Sequence, residues 1–133
     1  MKASPKLFSL AATIRPDFSP IASFALDPGD WEVKPVKGDF TAWSAWRETE
    51  ECRAPTDCDK GWLTSYHIWS LEFVDHPKFI ISVPSRRCDS EVTALENAEA
   101  TRFRLRKQAL VSFFILDSYK DNRGGLSLSL KQV

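Results

Sequence analysis

Net charge is the first thing this chain lacks. Its 18 acids balance 18 bases, so no overall field draws it to nucleic acid or to an anionic membrane surface. Histidine is scarce, only His67 and His76, and no G-x-S-x-G or other marked nucleophile accompanies them. Asp75 lies beside His76, but adjacent residues seldom point at one substrate atom, so the chain reads as non-enzymatic. Three cysteines are too few for a disulfide framework, and neither C-x2-C nor C-x4-C spacing is present for zinc. Cys52 and Cys58 are close enough to bridge, which would leave Cys88 unpaired. No apolar run is long enough to span a membrane. The early segment Leu7 to Ile14 is short, is broken by Ser9 and Thr13, and soon meets Arg15-Pro16-Asp17, a poor signal peptide. The expected location is cytoplasmic, or outside the cell by a route without a recognisable leader, or the leader has been trimmed away. Long helical periodicity is also missing.

What is present is alternation with a period of two, in segments cut by turn residues. Leu7 to Ile14 and Ile21 to Leu26 read as strands. Asp27-Pro28-Gly29-Asp30 is a turn, Pro supplying a fixed φ and Gly a left-handed one, and Trp31 to Val36 follows as a strand that Pro35 marks as an edge or an end. Phe40 to Trp46 reads as strand or extended chain. Arg47 to Lys60, rich in acids and carrying Pro55, reads as an irregular surface excursion. From Thr64 to Val74, His67, Trp69, Leu71 and Phe73 share one face, with Tyr66, Ser70 and Glu72 on the other. His67 is thereby expected at the edge of the core. Phe79 to Val83 returns as a hairpin partner. Glu91 to Ala100 is the one stretch of helical composition, with Ser90 as its N-cap. Thr101 to Lys107 puts Phe103 and Leu105 inward and Arg102, Arg104 and Arg106 outward, a face expected to be solvated or ion-paired.

The C-terminal stretch carries the densest chemistry. Ala109 to Leu116 reads as a buried strand; Leu126, Leu128 and Leu130 alternate with Ser127, Ser129 and Lys131 as a half-buried strand with one wet face. Between them Asp117, Ser118, Asp121 and Asn122 crowd four oxygen-bearing side chains within six residues, closed by Gly124-Gly125. A hard cation such as Ca2+ takes oxygens in such a cluster, and the same composition also makes an ordinary turn. The frame is therefore one domain over residues 1–133, an all-β sandwich of about eight antiparallel strands with at most one short helix.

A strand ending in acid, a short loop with Tyr, Asp-Asn-x-Gly and an alternating last strand together resemble the end of the calcium-dependent galactophilic bacterial lectins of the PA-IL type. The likeness extends to Asp27-Pro28-Gly29-Asp30, the strand after it, Gly38 and the aromatic segment Phe40, Trp43 and Trp46. The resemblance implies a jelly-roll, galactose-binding-like β-sandwich and a carbohydrate or glycoconjugate as partner. It implies Ca2+ held by Asp117, Asp121 and Asn122, and a sugar contacted by Asp117, Tyr119, Trp43 and Trp46. Two departures stand beside it. The loop after Asp117 is shorter than the family's, and the family's sugar-contacting His and Gln have no counterpart. A second expectation is therefore a sandwich that has lost the sugar site and acts in structure or protein contacts, oligomeric through its outer faces.

Overall fold

The computed structural model describes residues 5–12, 21–46, 50–115 and 122–133. In chain order the elements are β1 (Lys6–Ala11), β2 (Ile21–Leu26), β3 (Gly29–Val36), β4 (Trp43–Ser44), β5 (Glu50–Ala54), β6 (Asp57–Lys60), β7 (Tyr66–Trp69), β8 (Ile80–Val83), α1 (Glu91–Glu96), β9 (Thr101–Leu105), β10 (Ala109–Phe114) and β11 (Arg123–Gln132). All strand pairing is antiparallel. One sheet runs β1-β11-β3-β9, with β4 also on β11; the second runs β2-β10-β7-β8; β5 and β6 form a separate hairpin. The eight strands of the two long ladders make the all-β sandwich that the alternation and turn spacing lead one to expect.

The sheets meet across aromatic side chains. Phe8 of β1 lies 5.1 Å from Phe113 of β10 and 4.9 Å from Phe24 of β2, and Phe103 of β9 lies 6.4 Å from Phe113, ring centre to ring centre. Around them Val33, Ile68, Val111, Leu126 and Leu128 are buried completely. Each of these positions alternates with an outward residue, the pleat placing every second side chain on the core side. Helix α1 has Ser90 as its N-cap, whose hydroxyl accepts from Thr93 N–H, satisfying one of the donors a helix leaves open at its start.

The structure corrects three expectations. The last strand keeps its wet face only at Lys131: Ser127 and Ser129 are buried, like the leucines they alternate with. β11 lies between β1 and β3, and residues 37–40 cross its outer side. There Phe40 N–H donates to Ser127 Oγ (3.1 Å), whose hydroxyl also pairs with Ser9 Oγ (2.9 Å). The acid-rich segment is not an irregular excursion, since its described part is the β5–β6 hairpin, with Cys52 opposite Cys58 and the two joined by a disulfide. And His67 lies on the outer surface of its sheet: Tyr66 and Ile68 enter the core, while His67 and Trp69 point the other way.

The outer faces of the two sheets differ in kind. Across β3, β9 and β11, Arg104 forks onto Asp30 (2.7 and 3.0 Å), and Glu32 pairs with Arg102 (3.1 Å) and Lys131 (3.6 Å). This is the ion-paired arginine face expected of Thr101 to Lys107, with Arg106 reaching Glu72 instead (3.5 Å). Across the second sheet the register aligns one row of Ile21, Phe114, His67 and Ser82 and another of Ser23, Ser112, Trp69 and Ile80, with Ala25 beside Leu110. None of these ten is an acid, a lysine or an arginine.

His67 is the titratable group of that face. Its Nδ1 sits 3.0 Å from Ser82 Oγ and its ring stacks on Phe114 (5.4 Å). Desolvation holds its imidazole below the ordinary value of 6.5, so the unfolded chain takes up this proton first. The stability that neutral His67 contributes is therefore complete above about pH 6.5 and is lost as pH falls through the lower folded value. Urea unfolding measured along that acidification is expected to show falling stability, and His67→Gln to flatten that part of the slope. An unchanged slope in the variant would assign the titration to other groups.

Candidate functional site

Chemistry-bearing side chains gather at the end of the sandwich where β4 meets the start of β11. Short bridges build this end: Gly124 pairs with Trp43 and Arg123 with Ser44, Trp43 bridges to Leu63, and Trp62 bridges to Cys88. The β5–β6 hairpin is laid against it by Cys58 N–H, which donates to Arg87 O (3.1 Å). Pairing across four separate stretches thus converges residues that are far apart in the chain, as with Gly124 and Trp43.

Two arginine–tryptophan stacks mark this end. The Arg87 guanidinium lies 5.0 Å over Trp46 and the Arg123 guanidinium 4.4 Å over Trp62, an attraction between cation and ring face; Arg87 is exposed, whereas Arg123 is half-buried with its Nε covered. Next to Trp46 and Arg87 is an open depression of about 470 Å3 lined by Arg53, Thr56, Asp57, Asp59, Arg86 and Arg87. Arg53 grips Asp57 through two hydrogen bonds (3.1 and 2.8 Å) and reaches Asp59 at 2.7 Å. Those bonds to Arg53 are the main reason both carboxyls titrate below the usual carboxylate range. Arg87 donates to the Asp59 carbonyl (3.1 Å), and Arg86 lies exposed at the rim. The depression thus offers guanidinium and hydroxyl donors beside carboxylate acceptors, suited to a ligand dense in hydroxyl or carboxylate groups.

The sequence-derived site residues fall unevenly on this picture. Trp46 is half-buried under Arg87, and its backbone N–H donates to Ser44 Oγ (3.2 Å). Trp43 is a core residue, 4% exposed, and its indole N–H donates to Ser65 O (3.0 Å); a ring so covered presents no face to a sugar. Asn122 is buried, and its Nδ2 donates to the Ala12 carbonyl (3.2 Å). Asp117, Tyr119 and Asp121 lie outside the described residues. Among the described residues no three His, Cys, Asp or Glu side chains gather as a metal would need. Of the proposed calcium ligands, the register therefore places Asn122, one step before the Arg123–Ser44 pair, with Trp46 two steps beyond Ser44 on the other strand. A hard cation would take the Oδ1 end of that amide.

The sequence alone does not single out the depression: Arg53 belongs to the acid-rich segment Arg47 to Lys60, and Arg86 and Arg87 to the connection that follows β8. The Cys52–Cys58 spacing is the available signal, because a disulfide across it pairs the flanking residues into a hairpin and brings the Arg53 side chain within reach of Asp57. Cys88 is buried in a small cluster with Ala42 and Ala94, and burial is the first cause that pushes its thiol above the ordinary value, as in a packing cysteine rather than a reactive one. His76 donates from Nδ1 to the Lys78 carbonyl (2.7 Å) and is held within its own turn. Among the described helices none is long and apolar enough to cross a membrane. No protein-family model, no curated protein and no solved structure gives a significant match to this chain.

Proposed function

We propose that this chain is a non-catalytic carbohydrate-binding module of lectin type, holding its sugar at the end of the sandwich built by β4, the β5–β6 hairpin and the start of β11. The observation that carries the reading is the open depression lined by Arg53, Thr56, Asp57, Asp59, Arg86 and Arg87, with the Trp46 ring under the Arg87 guanidinium (5.0 Å). Trp46 supplies an apolar ring face for stacking on the apolar side of a sugar, and Arg86 and Arg87 supply donors for its hydroxyl or carboxylate oxygens. Ca2+ is the implied cofactor, with Asp117, Asp121 and Asn122 as its ligands and sugar hydroxyls replacing waters on the ion. The galactose-type preference and the jelly-roll winding come from the lectin resemblance alone.

A thermal melt in millimolar calcium against the same sample in excess EDTA tests the metal. A ligand that binds only the folded chain raises Tm, by about 2.7 kcal/mol of stability at a hundredfold excess over Kd. Calcium is expected to raise Tm and Asp121→Ala to remove the rise; an unchanged melt at saturating calcium overturns the calcium site. Glycan-array binding tests the sugar. Binding that Trp46→Ala abolishes while the melt of the variant is retained supports the platform, and absence of binding to any glycan overturns the carbohydrate reading.

A further inference from the structure

The outer face of the β2-β10-β7-β8 sheet is an unusual surface for a chain in which 27% of residues are charged. Its ten outward positions carry no acid, lysine or arginine, whereas the outer face of the other sheet is laced with ion pairs. Large apolar groups stand open on it: Ile21 is 55% exposed, Leu110 53% and Ile80 43%. Among the described residues nothing covers them.

Four of the polar side chains on this face already pair with one another. Ser23 Oγ and Ser112 Oγ pair at 2.8 Å near the middle, and His67 pairs with Ser82. Covering a hydroxyl or imidazole costs free energy when its hydrogen bonds to water are lost without replacement. Here one donor of each pair has its replacement in place before anything is covered, which lowers that cost; the second donor of each pair and the Trp69 indole N–H are left for the partner surface to accept. At one margin Leu71, 53% exposed, adds apolar area beside Trp69, and Lys107 and Glu72 approach each other at 3.7 Å as a charged rim. An apolar centre with a polar rim is the usual anatomy of a protein interface.

From this surface we infer that the chain forms a two-fold homodimer, sheet against sheet, through the outer face of β2, β10, β7 and β8. Three features select a second copy as the occupant. An uncharged face is matched by an uncharged face, and a charged partner would leave its ions desolvated without counter-charge. The ion-paired face of the other sheet is thereby excluded as the counterpart, so the contact is isologous, the same patch on both copies. The third is extent: the open apolar groups Ile21, Leu110 and Ile80 are spread over three of the four strands, as a broad contact of the kind that takes about 800 Å2 from each partner requires. Stacked sheets sit about 10 Å apart, which lets these side chains interdigitate. The proposal is independent of the carbohydrate reading, because the face lies on the flat of the sandwich and the depression at its end.

Sedimentation equilibrium of the full chain from low micromolar to submillimolar concentration tests it. The wild type is expected to self-associate. Leu110→Lys, and separately Ala25→Lys, should weaken that association by roughly 100-fold or more, since a two-fold interface counts each substitution twice. Both positions point away from the core, so a retained melt and near-ultraviolet spectrum show that the fold persists; Arg104→Ala on the opposite sheet should leave association unchanged. A wild-type monomer at every concentration overturns the proposal, as does association indifferent to both lysine variants. A monomer that instead floats with phosphatidylcholine vesicles, and loses this with Leu110→Lys, assigns the face to a lipid surface and equally overturns it. Neither result touches the glycan-array outcome, so the two readings fail separately.

Discussion

Phe113→Ala is expected to lower the stability of the fold by about 3–5 kcal/mol, the usual cost of removing a ring from a closed core. Phe113 is completely buried on β10, and its ring touches both sheets at once, Phe8 and Phe103 from one and Phe24 from its own, at 5.1, 6.4 and 6.2 Å. A cavity there cannot be closed by one neighbour moving, because the surrounding rings are held by two different ladders. Against a total stability of about 5–15 kcal/mol for a domain of this kind, the loss should appear as a fall in Tm of roughly 10–20 °C. Urea unfolding with an unchanged m-value measures it. The adjacent Phe114 points outward against His67, so Phe114→Ala should cost less than half as much. Equal costs at 113 and 114 would contradict the inward and outward assignment of β10 and, with it, the sandwich.

Gly124→Ala is the second change expected to be severe, by roughly 2–4 kcal/mol from a strained backbone and a displaced contact together. Gly124 has a φ of +75°, a region that L side chains adopt at a cost. An added Cβ there would also run into the Ala42 carbonyl oxygen and sit 3.3 Å from both Trp43 Cα and the Trp62 ring. Neither obstacle yields easily. The Ala42 carbonyl is backbone and accepts from Gly125 N–H (3.2 Å), while Trp62 lies under the Arg123 guanidinium. The chain can relieve the clash only by parting β4 from β11, which is the pairing that carries Asn122 toward Trp46. Differential scanning calorimetry of the variant should therefore show a lower Tm, and glycan binding should weaken further than the loss of folded protein accounts for. A variant as stable as the parent would show that the β4–β11 ladder does not hold this end together.

Several elements were legible in the chain itself, and for local reasons. Thr101 to Leu105 alternates two apolar side chains with arginines, so its inward face has one chemical assignment, and the strand forms with Phe103 and Leu105 buried. Ser90 ahead of a short helix-forming run caps α1 because a cap involves only neighbours within a turn. Asp27-Pro28-Gly29-Asp30 turns because its backbone preferences are intrinsic to Pro and Gly; Gly29 has a φ of +124°. The Cys52–Cys58 bridge was readable as a spacing that a disulfide could close, although the hairpin around it was not.

Strand periodicity, turns, the short capped helix and the all-β class rest on side chains and backbone preferences close together in the chain, and so can be read from it directly. Which face of a strand becomes the inside is set by packing between distant segments. From Tyr66 to Trp69 both faces carry large apolar groups, and the neighbouring β10 and β8 chose Tyr66 and Ile68 for the core and left His67 and Trp69 on the outer surface. Likewise the serines of β11 look solvent-facing in isolation and are buried because β1, β3 and the 37–40 segment surround them. The site divides in the same way. Asn122 was marked by its own turn composition, whereas the depression of Arg53, Asp57, Asp59, Arg86 and Arg87 exists because a disulfide hairpin is laid against a distant connection. Alternation records that two faces differ, but burial is set by what packs against them, and those partners come from remote parts of the chain.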